Sequence, residues 1–383
     1  MKPPSASAIR VAAIDILRGL VMVLMALDHA SETFNAGRLF GDSTYWYKPG
    51  SPLPLDQFLT RWLTHLCAPT FVTLAGVALA ISTEGRRRRG QSESQIDRHI
   101  VLRGLLLVAF DVVWMSPIML EAWAQFLFQV LYALGASLVC MALLRRLSDR
   151  ALAGLGVVLL VGGEILLGAA SRSGLARALP VVLTLSPGEL FDRRLIVGYP
   201  LLPWLALMCL GWAFGRRLVG WRAEGKDAAR EGSRLLAIAG AVLLAVFVVL
   251  RGLNGFGNMG LLREDGSLAH WLHVSKYPPS LTFVGLEVGV GALLLSGLMA
   301  LEARSALPRV LEPLRLLGGT ALFFYLLHLH VLSLVAILTG TRHALGLGAA
   351  YGGALGVVLV LYPLCAWYRR YKTRNPDGWA RWI

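Results

Sequence analysis

Long apolar runs separated by short polar loops repeat along the whole sequence. Most of them approach or exceed the roughly 20 residues that an α-helix needs to cross the hydrocarbon core of a bilayer. Ten such runs can be marked, at residues 14–34, 58–82, 100–117, 122–143, 151–170, 198–215, 234–252, 279–300, 314–338 and 348–368. The pattern predicts an all-α fold, a polytopic membrane bundle of about ten transmembrane helices that residues 1–383 form as a single domain.

Composition and charge agree with a membrane protein. The chain is 56% hydrophobic and only 16% charged, with a mean hydropathy of +0.61, whereas a soluble domain is typically about 25% charged. The net charge of +14 would suggest nucleic acid in a soluble protein. Here, most Lys and Arg residues, including Lys2 and Arg10, lie in segments on one side of the predicted bundle. The positive-inside rule then predicts cytoplasmic termini, with membrane lipids as partners and no nucleic acid.

Two features of the runs affect the fold without suggesting chemistry. Pro69 lies inside the second run and should kink it. The four cysteines all fall inside predicted spans and lack ligand spacing, so we interpret them as small buried hydrophobic residues. We also expect no cleavable signal peptide, because the first apolar run is too long for one.

The first run contains the most unusual charges of the chain. Arg18 and His29 are eleven residues apart, just over three helical turns, so they share one face at a separation of ~16 Å. Asp28 precedes His29 and points about 100° away around the helix. Ionisable groups deep in a span are costly and usually functional. This face is therefore predicted to form half of an active site, with His29 as general base or nucleophile.

Other polar residues are predicted to gather at the same depth as His29. His328 lies about as far into the ninth run, and Tyr325 is one turn before it. The candidates for contact with a substrate from the outer side are Arg61, Trp62, His65, His270, His273 and Lys276. The outer loops that hold some of them are rich in aromatic residues, which suits either sugar binding or an interfacial aromatic belt. No metal-ligand spacing is present, so we predict no metal site.

The buried carboxylates and one basic run can each be interpreted in two ways. Asp111, Glu164 and Glu287 lie inside predicted spans and are expected to be structural or to line a cavity. Arg103 is about two turns from Asp111, too far along the axis for a direct pair. The basic run Arg86, Arg87, Arg88 and Arg89 is explained by topology and anionic lipids, or by binding the phosphates of an acyl-CoA.

Four sequence blocks resemble a known family when they are taken together. The first is R-G-L-V-M-V-L-M-A-L-D-H, with Arg18 and His29 at its ends, and the second is residues 61–79. The third is S-K-Y-P-P-S-L from Ser275, and the fourth is L-G-G-T-A-L-F-F-Y-L-L-H, which ends at His328. Together they resemble the bacterial branch of the heparan-α-glucosaminide N-acetyltransferase catalytic family, within the transmembrane acyltransferase superfamily.

The resemblance implies an enzyme that moves an acyl group, usually acetyl from acetyl-CoA, to a sugar across the membrane. The superfamily's catalytic histidine would fall on His29. In the family's lysosomal member an Asn stands at this position, so the acceptor group stays open between amine and hydroxyl. We expect the donor's phosphates near Arg18 and the run 86–89. Tyr325 and His328 would orient the acceptor or stabilise an oxyanion.

Further alternatives follow from the same residues. His29 would act either as a base in a ternary complex or as the carrier of an acyl-imidazole. A proton-coupled transporter or flippase would use the same buried His and carboxylates, and a non-catalytic scaffold would leave the Asp28-His29 pair without a purpose. The expected location is a bacterial inner membrane, and a homo-oligomer is compatible with the sequence.

Overall fold

The chain is almost entirely helical in a computed structural model that describes residues 11–122, 124–375 and 378–382. Lys2 and Arg10, which support the predicted topology, lie outside the described residues. The α-helices of the described part are α1 (Ala12–Phe34), α2 (Leu55–His65), α3 (Cys67–Arg88), α4 (Glu93–Ala109), α5 (Ser116–Leu120), α6 (Val130–Leu144), α7 (Asp149–Arg172), α8 (Leu179–Thr184), α9 (Leu201–Ala223), α10 (Ala228–Leu253), α11 (Leu268–Leu272), α12 (Leu281–Ala303), α13 (Glu312–Gly319), α14 (Ala321–Thr339) and α15 (Leu347–Arg374). A π-helical segment (Phe110–Met115) joins α4 to α5, and 3₁₀ turns occupy Arg309–Leu311 and Trp379–Trp382.

Seven helical stretches in the described residues are long and apolar enough to cross a membrane. They are Leu55–Arg88, Glu93–Leu120, Asp149–Arg172, Ala228–Leu253, Leu281–Ala303, Ala321–Thr339 and Leu347–Arg374. Each corresponds to one of the ten predicted runs. The other three runs fall on α1, α6 and α9, which are helical but are not among these seven: α6 is apolar but has only 15 residues, and α1 carries charged residues along its length. A helical membrane protein is thus supported, while ten spans and cytoplasmic termini stay predictions.

Helix α1 is the centre of the bundle. It packs against α2, α3, α12, α13, α14 and α15, and most of its residues are buried. Its closest neighbour is α13, because glycines stand at the crossing: a Cβ on Gly19 would overlap the backbone of Leu314, and one on Gly318 would overlap that of Asp15. Small residues at such crossings let helix backbones approach closely. The charged face of α1 is therefore held inside protein.

The helix through 55–88 is interrupted near Pro69, as predicted. Helix α2 ends at His65 and α3 begins at Cys67, with Leu66 between them. Proline lacks the N–H that would donate to the carbonyl of the residue four positions earlier, here His65, and its ring crowds that carbonyl. The break sets the direction in which α2 presents Arg61 and Thr64 to the interior.

A small sheet was not predicted. Strands β1 (Phe126–Phe128), β2 (Gly188–Leu190) and β3 (Leu195–Val197) form it in the order β1-β3-β2, with β1–β3 parallel and β2–β3 antiparallel. The predicted span 122–143 is therefore wrong in its first part, where the chain is extended and α6 starts only at Val130. A three-residue apolar strand cannot be told from a helix end by periodicity.

Candidate functional site

One cavity of about 330 Å³ runs through the bundle beside α1. It is lined by residues of α1, α2, α3, α4, α6, α13, α14 and α15 together with the loop that carries Lys276. Its middle wall is apolar, with Met25, Phe71 and Leu134 among the lining residues. Its polar residues lie toward two ends, because Arg18 and His29 line it three turns apart on α1. Both residues therefore face one cavity, as their shared helix face predicted, and their function stays a prediction.

Basic side chains surround one end of the cavity. Its lining residues there are Arg18, Arg86, His99, Arg103 and Lys372. Arg18 donates to Gly318 O at 3.4 Å and pairs with Asp15 at 3.2 Å. Arg86 contacts Gln91 Oε1 at 3.0 Å and His99 Nε2 at 2.7 Å. Four side chains that carry positive charge thus converge from α1, α3, α4 and α15.

The predicted run 86–89 is only partly in this end. Arg86 lines the cavity, whereas Arg87 is bonded to Glu93 at 2.7 Å and Arg88 to Glu84 at 2.9 Å. Arg89 follows the last residue of α3 and is not among the lining residues. Only Arg86 of the four lies at the cavity, because consecutive helical residues point about 100° apart, and binding of the donor by the whole run stays a prediction.

A pair of histidines occupies the other end. His29 Nδ1 lies 2.6 Å from His328 Nε2, and the rings are stacked with centroids 4.9 Å apart. His328 Nδ1 lies 2.6 Å from Tyr325 O. A carbonyl only accepts, so His328 Nδ1 carries the proton and its Nε2 accepts from His29 Nδ1. This assignment from the hydrogen bonds leaves His29 Nε2 as the unprotonated nitrogen.

The two histidines differ in access to the cavity. His29 lines it, whereas His328 is fully buried behind His29 and is not among the lining residues. Tyr325 also lines the cavity, and its Oη has no hydrogen-bond partner among the described residues. His328 therefore contacts His29 rather than the cavity, and its role in orienting the acceptor stays a prediction. His330, beside it in sequence, stacks on Trp114 at 4.5 Å instead.

Asp28 is held by three side-chain donors. Its Oδ1 accepts from Arg61 Nη1 at 2.5 Å, from Thr64 Oγ1 at 2.8 Å and from Arg38 Nη2 at 3.0 Å. Arg61 also donates through Nε to Asp42 Oδ2 at 2.7 Å. The buried guanidinium therefore joins two carboxylates, one on α1 and one in the loop that follows it. Asp28 lines the cavity, but these contacts make it an anchor rather than a free base.

Asp42 shows how this network is stabilised electrostatically. Burial alone would raise the pKa of Asp42, but Arg61, with His65 3.3 Å from its Oδ1, holds the pKa of that carboxyl well below its usual range. The carboxylate is thus ionised and paired. Because Lys276 N donates to Asp42 O at 2.8 Å, the same residue fixes the segment that carries the cavity lysine.

Most of the residues predicted to contact the acceptor do not line this cavity. Of Arg61, Trp62, His65, His270, His273 and Lys276, only Lys276 does. His273 Nε2 donates to Gly41 O at 2.8 Å, and burial lowers the pKa of its imidazole. His270 lies beside it, with ring centroids 6.3 Å apart. His273 thus joins the outer loop 253–278 to the loop after α1, and contact of these six side chains with an acceptor stays a prediction.

The three buried carboxylates in the spans have separate environments. Asp111 Oδ2 accepts from Gln129 N at 2.6 Å and Tyr132 N at 2.8 Å, which satisfies donors at the start of α6. Glu164 Oε1 accepts from Gly257 N at 2.9 Å. Glu287 is buried, and its Oε1 has no partner among the described residues. The structural interpretation suits Asp111 best.

Some cavity residues were missed in the sequence. Arg103 was considered only as a poor partner for Asp111, and Lys372 was not singled out. Arg103 is an arginine inside a span, which is a functional signal in itself. Tyr199 precedes α9 and also lines the cavity. No group of three or more His, Cys, Asp or Glu side chains in the described ranges is arranged to hold a metal ion.

Comparison with known proteins identifies the family of this chain. No curated protein sequence matches the chain. The family model described as the heparan-alpha-glucosaminide N-acetyltransferase catalytic domain matches residues 10–251, more than half of the chain. That range contains the first two resemblance blocks and excludes the blocks at Ser275 and Leu317. The chain therefore belongs to the heparan-α-glucosaminide N-acetyltransferase catalytic family, and it is a transmembrane acetyltransferase by that membership.

Proposed function

We propose that this protein transfers an acetyl or similar acyl group from a cytoplasmic acyl-CoA to an amine or hydroxyl of a sugar at the outer face of a bacterial inner membrane. The observation that carries the proposal is the single cavity that joins a cluster of cations to His29. A cavity with these two ends suits a long donor with anionic groups at one end and a reactive group at the other. All of its described lining residues belong to one bundle, so residues 1–383 would act as one domain.

The residues at the basic end fit the phosphates of coenzyme A. Arg18, Arg86, Arg103 and Lys372 supply cationic donors, and Arg side chains bind phosphate oxygens in pairs. The apolar middle wall suits the pantetheine arm, whose length is comparable to the ~16 Å between Arg18 and His29. When bound, acetyl-CoA supplies an acyl group that is activated as a thioester.

His29 is positioned to move the proton of the acceptor. Its Nε2 would take the proton from the attacking amine or hydroxyl as a C–N or C–O bond forms and the C–S bond breaks. The proton then passes to the departing thiolate sulfur. His328 accepts from His29 Nδ1 throughout, which holds the ring in the tautomer that leaves Nε2 basic. Tyr325 and Lys276 on the same cavity wall would donate to the oxyanion.

The alternative acyl-imidazole route would use the same nitrogen. His29 Nε2 would attack the acyl carbon, the thiolate would leave, and the acceptor would later displace the imidazole. The histidine pair supports both routes, since each needs an unprotonated Nε2. Trapping of a labelled acetyl-protein in the absence of acceptor distinguishes them.

The test uses purified full-length protein in lipid nanodiscs with acetyl-CoA labelled in its acetyl group. We expect acetyl-CoA to bind, label to appear in an added amino sugar or neutral sugar, and one free CoA thiol to be released for each acetyl group transferred. Absence of acetyl-CoA binding would contradict the proposal. Movement of unmodified sugar across a vesicle membrane under a proton gradient, with no acetylation, would favour the transporter alternative.

A further inference from the structure

A second cavity lies near the His29 end of the bundle. Its volume is about 610 Å³, within the range of small-molecule sites. Helix α7 lines one side of it, and the segments 43–45, 186–189, 259–260 and 277–278 line the others. The loop after α1 contributes to it, so it lies on the opposite side from the basic cluster. None of the residues predicted to contact the acceptor lines it.

Glu164 lines this cavity, together with the charged residues Arg177 and Glu189. The Oε1 of Glu164 accepts from the backbone N–H groups of Gly257 at 2.9 Å and Met259 at 3.0 Å, which fixes the carboxylate. Its Oε2 is buried and has no hydrogen-bond partner among the described residues. An unpaired buried oxygen costs free energy unless a ligand or water supplies a donor. Glu164 is thus a preorganised acceptor for a hydroxyl or ammonium group.

Aromatic side chains form the wall between the two cavities. Tyr277 lines the second cavity and Tyr199 lines the first, and their hydroxyls are 3.5 Å apart. Lys276, adjacent to Tyr277, lines the first cavity. Trp46 packs edge-on against Tyr277 with ring centroids 5.4 Å apart. The two tyrosines therefore separate the chamber of His29 from the second cavity.

We propose that the second cavity is the acceptor subsite, in which a sugar unit donates to Glu164 and packs on Tyr277 before its reactive group passes the Tyr199–Tyr277 pair. The proposal deepens the proposed function and rests on it. A saccharide fits because it combines several donors with faces that pack on aromatic rings. An acyl chain does not fit, because it would leave Glu164 Oε2 buried and unpaired.

A blocking variant tests this directly with D-glucosamine as the acceptor probe. Gly168 lines the second cavity, and a Cβ there meets only Arg172 Nη1 at 3.6 Å, so Gly168→Leu adds a side chain where space exists. Leucine is also the better helix former, which keeps α7 intact. We expect the KM for glucosamine to rise about tenfold or more while acetyl-CoA binding stays unchanged. The matched control is Gly154→Leu on the same helix, where a Cβ would meet nothing within 4 Å.

A second variant removes charge without filling space. Glu164→Gln retains a carbonyl oxygen for the two backbone donors, so we expect the fold to persist and the KM for glucosamine to rise about tenfold. An unchanged KM in Gly168→Leu would overturn the assignment of the cavity. Acetyl-CoA binding without acetylation of glucosamine by the unaltered protein would overturn an amino-sugar acceptor here. Absence of acetyl-CoA binding would instead contradict the proposed function.

Discussion

The hydrogen bond between His29 and His328 predicts a specific defect when Nε2 of His328 is removed. In His328→Phe, an aromatic ring of similar shape remains stacked between His29 and Phe324, whose ring centroid lies 5.6 Å from that of His328. The substitution removes Nε2 of His328, which accepts from His29 Nδ1 at a distance of 2.6 Å. The change therefore removes this hydrogen bond and the one from His328 Nδ1 to Tyr325 O, and it largely keeps the packing.

The size of the effect follows from the cost of an unpaired buried donor. Leaving such a group without a partner costs about 1–3 kcal/mol, and the ring of His29 can avoid this cost by rotating or by changing tautomer. Either change takes Nε2 away from its basic, oriented state. Since each 1.4 kcal/mol corresponds to about tenfold in rate, we expect kcat to fall about 5- to 150-fold. The KM for acetyl-CoA should stay unchanged, because His328 does not line the cavity.

The assay is acetyl transfer by nanodisc-embedded protein, with kcat and both KM values measured across pH. His330→Phe is the matched control, because this residue lies on the same helix but stacks on Trp114. His328→Gln should recover part of the rate, since an amide oxygen can again accept from His29. A folded His328→Phe protein with an unaltered kcat and pH profile would refute the relay between the two histidines.

Three further outcomes follow from the cavity and the network beside it. Arg61→Met should lower the free energy of unfolding by about 3–5 kcal/mol, read from thermal unfolding in detergent, because it leaves Asp28 and Asp42 buried without their shared cation; a protein as stable as the unaltered one would contradict this role. Arg103→Gln should raise the KM for acetyl-CoA about tenfold, whereas Arg88→Gln, at an exposed position, should not. Equal KM values in the two variants would contradict a role of Arg103 in binding acetyl-CoA. The depressed pKa of Asp42 means that its stabilisation is complete above pH 3.8 and declines as the pH falls below that value, so Asp42→Asn should flatten the loss of stability in acid.

Much of the cavity could be predicted from α1 alone. Charges inside an apolar run are rare, and helical geometry places Arg18 and His29 on one face without any knowledge of the neighbours. The depth of His328 in its own run also indicated that it would lie near His29. Both predictions depend only on the helical period and on the position of a residue within its apolar run, which a sequence shows directly.

The remaining features depend on packing between distant segments. Whether His273 faces a cavity or Gly41 is decided by how the loop 253–278 folds against the loop after α1. Arg103 and Lys372 reach the same cavity from helices far apart in sequence. The partner of Asp111 is the start of α6, where the predicted span had no helix end. A single sequence has no signal for such contacts.

Acetyl transfer by His29→Gln is the most direct test of the account. The variant keeps a polar side chain of similar length on α1 but removes the imidazole that would accept the proton. The account predicts that purified His29→Gln binds acetyl-CoA with unchanged affinity and loses acetyl transfer by a factor of about 10² or more. Acetyl transfer at the rate of the unaltered protein would contradict the claim that His29 is the base at the end of the cavity.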